Sequence, residues 1–334
     1  MTTIPNIESP IACEIFNKPN QVIEGWYWAL PSKELKKKKT HAVTVMGKEI
    51  VLYRKPDGST KAIEAICPHR GAHLKLAKLE ADGIRCQYHR WKYNDDGDCV
   101  DIPCRKEPVP AKVKHYPCRE AYGMVWVYTG TNPKHQIPEV PELEGMEIRT
   151  MRGGAYNKPC HPNVVMLDAI DAQHFYSVHH IDTLLDFEIT EHHQNCISFA
   201  NKRPVPKRSW IGKAIDLFYK GPLTFTMTYW NGTSGFVTLG PDFMLFYIMF
   251  CNRVGKKGEC EGQILLFTKK RKGPLGWLAD KAILCSTFLV AKYFAWGDDP
   301  VFSSIDYDFK TPIKEDQALL TFIRHTEKQE LATW

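Results

Sequence analysis

Two short runs carry side chains that bind soft metals: Cys67-Pro-His69-Arg-Gly and Cys86-Gln-Tyr-His89-Arg-Trp. Each supplies one thiolate and one imidazole, as Cys-x-His and Cys-x2-His, with sixteen residues between the halves. Two thiolates with two neutral imidazoles suit a [2Fe–2S] centre in which one iron takes both cysteines and the other both histidines. Each Cys/His pair must then sit on a tight loop aimed at one point, and Pro68, Gly71 and the turn-prone Asp82-Gly83 suit two such loops. Replacing two thiolates by imidazoles lowers the negative charge on the iron, which raises its potential above that of an all-cysteine ferredoxin. The alternative is a Cys2His2 zinc site, but zinc halves usually read Cys-x2-4-Cys and His-x3-5-His. His73 is a spare imidazole, read as a surface or supporting residue.

A second constellation is Asp168-Ala-Ile-Asp171-Ala-Gln-His174-Phe-Tyr-Ser-Val-His179. Two histidines with a distant carboxylate suit a facial triad, which leaves positions on Fe(II) open to O2 and substrate. On an ideal helix His174 and His179 lie about 140° apart, so both face one ion only if the helix bends or ends between them. His180 would point elsewhere. A solvated helix rich in such residues would read similarly. The carboxylate must come from downstream, where Asp298, Asp299, Asp306, Asp308, Glu315 and Asp316 are the candidates.

Taken with those runs, Cys-Pro-His-Arg-Gly and Cys-x-Tyr-His-x-Trp resemble the Rieske non-haem iron oxygenase family, α subunits. Arg90 departs from it, since glycine usually stands there, and a positive φ at that position would be strained. The resemblance implies Cys67, His69, Cys86 and His89 as cluster ligands and His174 and His179 as ligands of a mononuclear iron. It implies Asp171 as the carboxylate bridging a Rieske histidine to an iron-binding histidine across a subunit boundary. Asp168 stands where the family more often has Asn or Glu. Asp298-Asp-Pro-Val-Phe resembles the Asp-x-Pro-Ile-Trp segment of the subgroup with the steroid 9α-hydroxylase oxygenase and the cholesterol 7-desaturases. Pro312, Asp316, Phe322 and Arg324 follow in that subgroup's order. Asp298 is therefore the expected third ligand, with Asp316, in a segment resembling demethylase-like members, as runner-up. The family chemistry so implied inserts one oxygen atom of O2 into a C–H bond of a small organic substrate, a steroid-like ring system or a secondary metabolite. Demethylation and desaturation are variants of it, and a non-catalytic Rieske electron carrier is the alternative of another class. The resemblance also implies a head-to-tail homotrimer, which shortens the path between cluster and iron.

The elements around these residues fall in two groups. Residues 42–130 are β-rich, with a hairpin across Ala42–Met46 and Glu49–Tyr53 and further strands at Ala62–Ile66 and Gly123–Tyr128. After proline punctuation at Pro133, Pro138 and Pro141, a helix is expected over Asn163–Val178. Strands follow at Leu223–Trp230, Gly235–Leu239, Met244–Asn252 and Gln263–Lys269, then helices at Leu275–Trp296 and Glu315–Gln329. The expected fold is α+β: a small antiparallel β Rieske domain over 25–130 and a helix-covered antiparallel-sheet catalytic domain over 131–334, with residues 1–24 packing on the latter. Phe175, Tyr176, Phe225, Met227, Tyr229, Phe246 and Phe250 are expected to line an apolar pocket.

At 334 residues, 43% hydrophobic and 25% charged, the chain is long enough for two cores. Eleven cysteines without a secretory signal argue for metal ligation or burial rather than disulfides, and for a cytoplasmic location. The apolar stretch Ala282–Trp296, broken by Lys292, reads as a buried helix; the alternative is a helix lying on a membrane surface, although membrane association is not expected. The net charge is +6, with basic runs at Lys36–Lys39, at Lys202, Arg203, Lys207 and Arg208, and at Lys269–Lys272. They suit solvated faces or the steering of an acidic protein, and no aromatic-interleaved motif points to nucleic acid. No glycine-rich dinucleotide fingerprint and no plant-type ferredoxin run occurs, so NAD(P)H electrons must arrive through a separate reductase, with or without a ferredoxin.

Overall fold

The computed structural model describes residues 13–180, 186–205, 213 and 216–334. The chain forms two compact units. One comprises Glu24–Ile137 with two returning segments, Val254–Lys257 and Leu331–Trp334; the other comprises, of the described residues, those within 13–23, Pro138–Arg253 and Gly258–Glu330, while the first twelve residues, also expected to pack there, lie outside the described residues. Lys207 and Arg208 of the second basic run lie outside the described residues. Of that run, Lys202 pairs with Asp242 at 2.7 Å and Arg203 with Asp186 at 3.1 Å, on exposed surface.

The first unit is built from three small sheets. Strands β1 (Trp26–Pro31), β10 (Cys118–Ala121) and β11 (Met124–Tyr128) form one, in the order β1-β11-β10. A second has the order β2-β3-β4-β9, from Thr40–Val45, Lys48–Arg54, Thr60–Glu64 and His115–Tyr116. The turn joining β2 to β3 is Met46-Gly47, both at positive φ (46° and 75°). That backbone matches the right-handed twist of a two-residue hairpin, which is where the sequence places one. The third sheet, β5-β6-β7-β8, uses Lys78–Glu80, Gly83–Arg85, Lys92–Tyr93 and Cys99–Asp101. A Cβ on Gly83 would stand 2.0 Å from the Tyr93 carbonyl, so only glycine lets β6 and β7 close up here. Val51, Tyr53, Ile63, Leu74, Ile84 and Tyr93 form the core between the sheets, and Cys67 and Cys86 are part of it.

The second unit is a seven-stranded sheet in the order β12-β18-β17-β16-β15-β14-β13. Its strands are Ile148–Lys158 (β12), Glu188–His193 (β13), Cys196–Pro204 (β14), Pro222–Trp230 (β15), Ser234–Pro241 (β16), Phe246–Val254 (β17) and Cys260–Lys269 (β18). Among the described residues, the helices that accompany it are α1 (Pro162–Leu167), α2 (Ala172–Ser177), α3 (Gly273–Phe302) and α4 (Gln317–Glu327). Phe322 of α4 lies on Tyr229 of β15, ring centroids 4.2 Å apart, in a core that includes Phe199, Met227 and Leu284.

Two expectations need correction. The continuous helix over Asn163–Val178 is divided into α1, a 3-10 turn at Asp168–Ile170, and α2, because Asp171 takes an extended backbone (φ −89°, ψ 105°) to cap α2. The apolar stretch Ala282–Trp296 is not a buried helix. Along α3, Asp280, Leu284, Thr287 and Ala291 are buried, whereas Leu275, Leu278 and Leu289 on the other side are exposed. The segment is apolar on both faces, so composition alone cannot reveal that only one is covered.

Candidate metal centres

The first centre lies at the tips of two hairpin-like loops. In one, the Gly71 N–H donates to the Cys67 carbonyl at 3.0 Å and the Cys67 N–H to the Ala72 carbonyl at 2.9 Å. Gly71 has a φ of 73°, the left-handed conformation such a turn requires. In the other, the Cys86 N–H donates to the Trp91 carbonyl at 2.9 Å, and Arg90 takes the left-handed turn position with a φ of 62°. The Arg90 carbonyl accepts from Arg85 Nη1 at 2.7 Å. The cysteines are buried and the histidines half-exposed, so thiolates point inward and imidazoles outward. The His69 and His89 rings stand 4.5 Å apart, and Trp91 stacks on His69 at 4.2 Å. Burial, then the neighbouring His69, hold the His89 imidazole below its ordinary pKa, which favours the neutral form that binds metal. His69 Nδ1 is buried without a hydrogen-bond partner, as an imidazole kept for a metal would be. Tyr93 Oη lies 3.1 Å from Cys67 Sγ. His73 serves the backbone instead: its Nδ1 accepts from the Lys75 N–H at 3.0 Å, capping the 3-10 turn Leu74–Leu76.

The second centre joins the end of α2 to the end of α3. Asp171 Oδ1 accepts from the N–H groups of Gln173 (2.8 Å) and His174 (3.0 Å), which starts α2 and sets His174 in its first turn. The helix ends at Ser177, so His179 lies past it and swings back toward His174. His180 sits at a φ of 56° and is exposed. His174 Nε2 and His179 Nε2 are 3.0 Å apart, and Asp298 Oδ1 lies 3.1 Å from the first and 3.0 Å from the second. Both histidines are buried. Three ligand atoms on one face of an octahedron with bonds of about 2.1 Å are separated by about 3.0 Å, and these atoms form such a triangle. Burial pushes the Asp298 carboxyl up, but the two imidazoles outweigh it and hold it below its usual range. Burial raises Asp168 to about 7; its Oδ2 stands 3.7 Å from His174 Nδ1, on the side away from the triangle.

The other downstream acids stand elsewhere. Asp316 is buried with both oxygens engaged, Oδ2 accepting from the Ile313 N–H at 2.8 Å and Oδ1 from Gln173 Nε2 at 3.1 Å. Asp299 pairs with Lys158 and Asp308 with Lys310, while Asp306 and Glu315 are exposed. One contributor gives no signal in the sequence. A Cβ on Gly297 would stand 3.1 Å from His179 Cε1, so glycine beside Asp298 lets α3 close on the imidazole. Phe175 and Phe294 pack on the same ring, at 5.7 and 5.1 Å.

The triangle opens into a cavity of about 330 Å³, lined by His174, His179 and Asp298 among mostly apolar side chains. Of the expected liners, Phe175, Phe225, Met227 and Phe250 are there. Tyr176 is exposed instead, Tyr229 is buried with its hydroxyl donating to the Met166 carbonyl at 2.8 Å, and Phe246 stands outside the lining. Tyr229 shares its strand face with Phe225 and Met227, and Phe246 with Phe250, so position along β15 and β17, not alternation, leaves them out of the lining.

Residues 25–117 match the family described as Rieske [2Fe-2S] domain. The cholesterol 7-desaturase of Ciona intestinalis is 27% identical over 205 residues, 58% of this chain and 43% of that protein. The oxygenase component of the 3-ketosteroid-9-alpha-monooxygenase of Rhodococcus rhodochrous is 24% identical over 234 residues, 65% of this chain and 61% of that protein. The matched segments thus span less than two thirds of either relative. Among solved structures, dicamba monooxygenase bound to 3,6-dichlorosalicylic acid superposes with a TM-score of 0.68 at 20% identity, over 95% of this chain and 98% of that one. With a Rieske [2Fe–2S] domain, the fold of a Rieske oxygenase subunit and homologues of this kind, the chain is a relative of the Rieske non-haem iron oxygenase α subunits.

Proposed function

We propose that the chain is the oxygenase component of a Rieske system that hydroxylates a C–H bond of a small, largely apolar ring compound. The observation that carries this is the triangle of His174, His179 and Asp298 opening into an apolar cavity. An electron carrier needs no such cavity. In this reading residues 25–130 form the cluster domain, with Cys67, His69, Cys86 and His89 as ligands, and 131–334 the catalytic domain. When bound, the [2Fe–2S] cluster supplies electrons singly and the mononuclear iron supplies activation of O2.

The chain's own residues do the rest. Asp298 would bring one negative charge, and His174 and His179 one imidazole nitrogen each, to a divalent ion held at the edge of the cavity. Asp168, facing His174 Nδ1, orients that ring. Phe175, Phe225 and Phe294 keep water from the reacting carbon, and the apolar walls hold a ring by shape. Electrons come ultimately from NAD(P)H through a separate reductase, with or without a ferredoxin. Asp171 is assigned as the bridge for transfer between protomers of a homotrimer, and the location as cytoplasmic. The steroid and sterol names of the relatives favour a polycyclic substrate. Desaturation, as in the desaturase's name, and demethylation are the nearest variants.

The test is turnover of iron-loaded protein with a surrogate reductase, NADH and steroid-like candidates under 18O2. Hydroxylation places one labelled oxygen in the product, whereas desaturation gives a product two hydrogens poorer and unlabelled. Protein with a reducible cluster that holds no mononuclear iron would refute the proposal in favour of an electron carrier.

A further inference from the structure

Helix α3 has two unlike faces. The inner one packs on β12 and β18 and walls the cavity with Phe288, Ala291, Phe294 and Ala295. The outer one presents Leu275 (80% exposed), Leu278 (54%) and Leu289 (66%), with Ala282 and Cys285 exposed between them. Positions 275, 278, 282, 285 and 289 recur every three or four residues, so they form one stripe along the helix. An apolar stripe of this length is rarely left facing water.

The charges around the stripe select its partner. From Lys269 to Tyr293 the basic residues are Lys269, Lys270, Arg271, Lys272, Lys281 and Lys292, and the one acid is Asp280. Asp280 is fully buried and held by Arg149 Nε at 3.0 Å and Arg271 Nη1 at 2.8 Å. Besides the buried Asp280 held by Arg271, the acid seen pairing with this run among the described residues is Glu147, 3.2 Å from Lys270. Lys281 Nζ stands 4.0 Å over the ring of Trp277, an aromatic flanking the stripe near its N-terminal end. A second copy docked face to face would bring lysines against lysines. An anionic bilayer meets both features at once, since its headgroups match the cations and its acyl boundary the leucines. The helix is long and apolar enough to cross a membrane, but its inner face is occupied by its own sheet, which suits lying on the surface.

We propose that α3 seats this unit on an anionic lipid surface, with Leu275, Leu278 and Leu289 at the acyl boundary and Lys272, Lys281 and Lys292 among the headgroups. Lys292 also belongs to the cavity lining, so the cavity reaches the exposed side of the helix. A lipid-soluble substrate would then enter from the bilayer. That last step rests on the oxygenase reading; the docking does not.

The experiment is co-sedimentation of the full, iron-loaded chain with vesicles of phosphatidylcholine, alone or mixed equally with phosphatidylglycerol. Binding to the acidic vesicles is expected to exceed binding to neutral ones by about tenfold or more, and to fall as salt rises. Leu278→Asp with Leu289→Asp, both at exposed positions, should weaken it by at least about tenfold while cluster colour and iron content stay unchanged. Three results would overturn the proposal. One is no sedimentation with acidic vesicles. Another is equal, salt-insensitive binding to both kinds. The third is an oligomer in light scattering that the double variant dissolves while vesicles are ignored, which would give the stripe to a second copy. A failure of turnover leaves the vesicle result standing.

Discussion

Cys67, His69, Cys86 and His89 stand on two neighbouring loops of one small sheet system, whereas His174, His179 and Asp298 are gathered from the end of one helix and the end of another far downstream. The loop centre is local: each Cys/His pair is aimed by one or two backbone hydrogen bonds and a left-handed turn residue. The triangle is a product of tertiary packing, since it exists only while α3 lies against the end of α2. Local centres tolerate changes in the rest of the fold, whereas gathered centres inherit every packing error between their parts. The cluster should therefore survive perturbations that empty the triangle.

The strongest way to break this contrast is to remove the distant member. Asp298→Ala is expected to lower iron from about three to about two per chain and abolish product formation, while the visible spectrum of the cluster persists. Asp316→Ala, whose oxygens are engaged by Ile313 and Gln173, should keep all the iron. Metal analysis beside the absorption spectrum decides it. The opposite pattern would give the third ligand to Asp316 and undo the triangle.

A second perturbation acts on the support of the triangle. His161 caps α1, its Nδ1 accepting from the Asn163 N–H at 3.2 Å, and burial, against a smaller opposing contribution from the Asn163 side chain, pushes its pKa down to about 4. Because the folded value lies below the ordinary 6.5, the fold prefers the neutral ring. That contribution is complete above about pH 6.5 and is lost as pH falls through the folded value, at a cost of roughly 3 kcal/mol. His161→Asn retains a good capping residue and should flatten the acid side of the stability profile by about that amount. Urea midpoints of both proteins across this pH range, compared as differences, measure it. Parallel profiles would mean that His161 does not titrate with unfolding.

A smaller effect belongs to the loop centre. Tyr93 Oη, 3.1 Å from Cys67 Sγ, can donate to the sulfur when it is a thiolate ligand, which withdraws negative charge and favours the reduced cluster. Tyr93→Phe should lower the potential by roughly 30–60 mV, the equivalent of about 1 kcal/mol for one electron, with no loss of iron. An unchanged potential in redox titration would leave that contact without electronic consequence.

The same contrast explains which parts of the molecule are legible in the chain itself. The cluster loops are legible because ligand, turn residue and spacing lie within a few positions of one another. The His174/His179 pair is legible as a spacing that an unbroken helix cannot satisfy, and the break falls where Asp171 caps α2. Asp298 is reached only through the resemblance of its segment, and Asp168 has no role in the sequence although it lies 3.7 Å from His174 Nδ1. Gly297 leaves no trace, because nothing in a sequence says that an imidazole will come within 3.1 Å of a missing Cβ. The outer face of α3 misleads for a related reason. An apolar residue looks the same in sequence whether a sheet or solvent lies beside it, and only the placement of β12 and β18 separates Leu284 from Leu289.

Arg90 offers the finest adjustment of the loop centre, because a feature expected from the sequence alone is there in the backbone. Its φ of 62° costs an L-residue about 1–2 kcal/mol, and glycine would remove that strain. Glycine also loosens the unfolded chain by about 0.4–1 kcal/mol, so the net gain of Arg90→Gly is expected between about 0 and 1.6 kcal/mol, a rise in Tm of at most roughly 4 °C. The loop should not otherwise change: the Arg85 bond to the residue-90 carbonyl and the Cys86 N–H bond to Trp91 are backbone features that the substitution keeps. Cluster absorption and potential should therefore match the parent while the melting temperature rises. A fall in Tm would mean that the exposed guanidinium contributes more than its backbone costs, and that this loop is less self-contained than its hydrogen bonds make it.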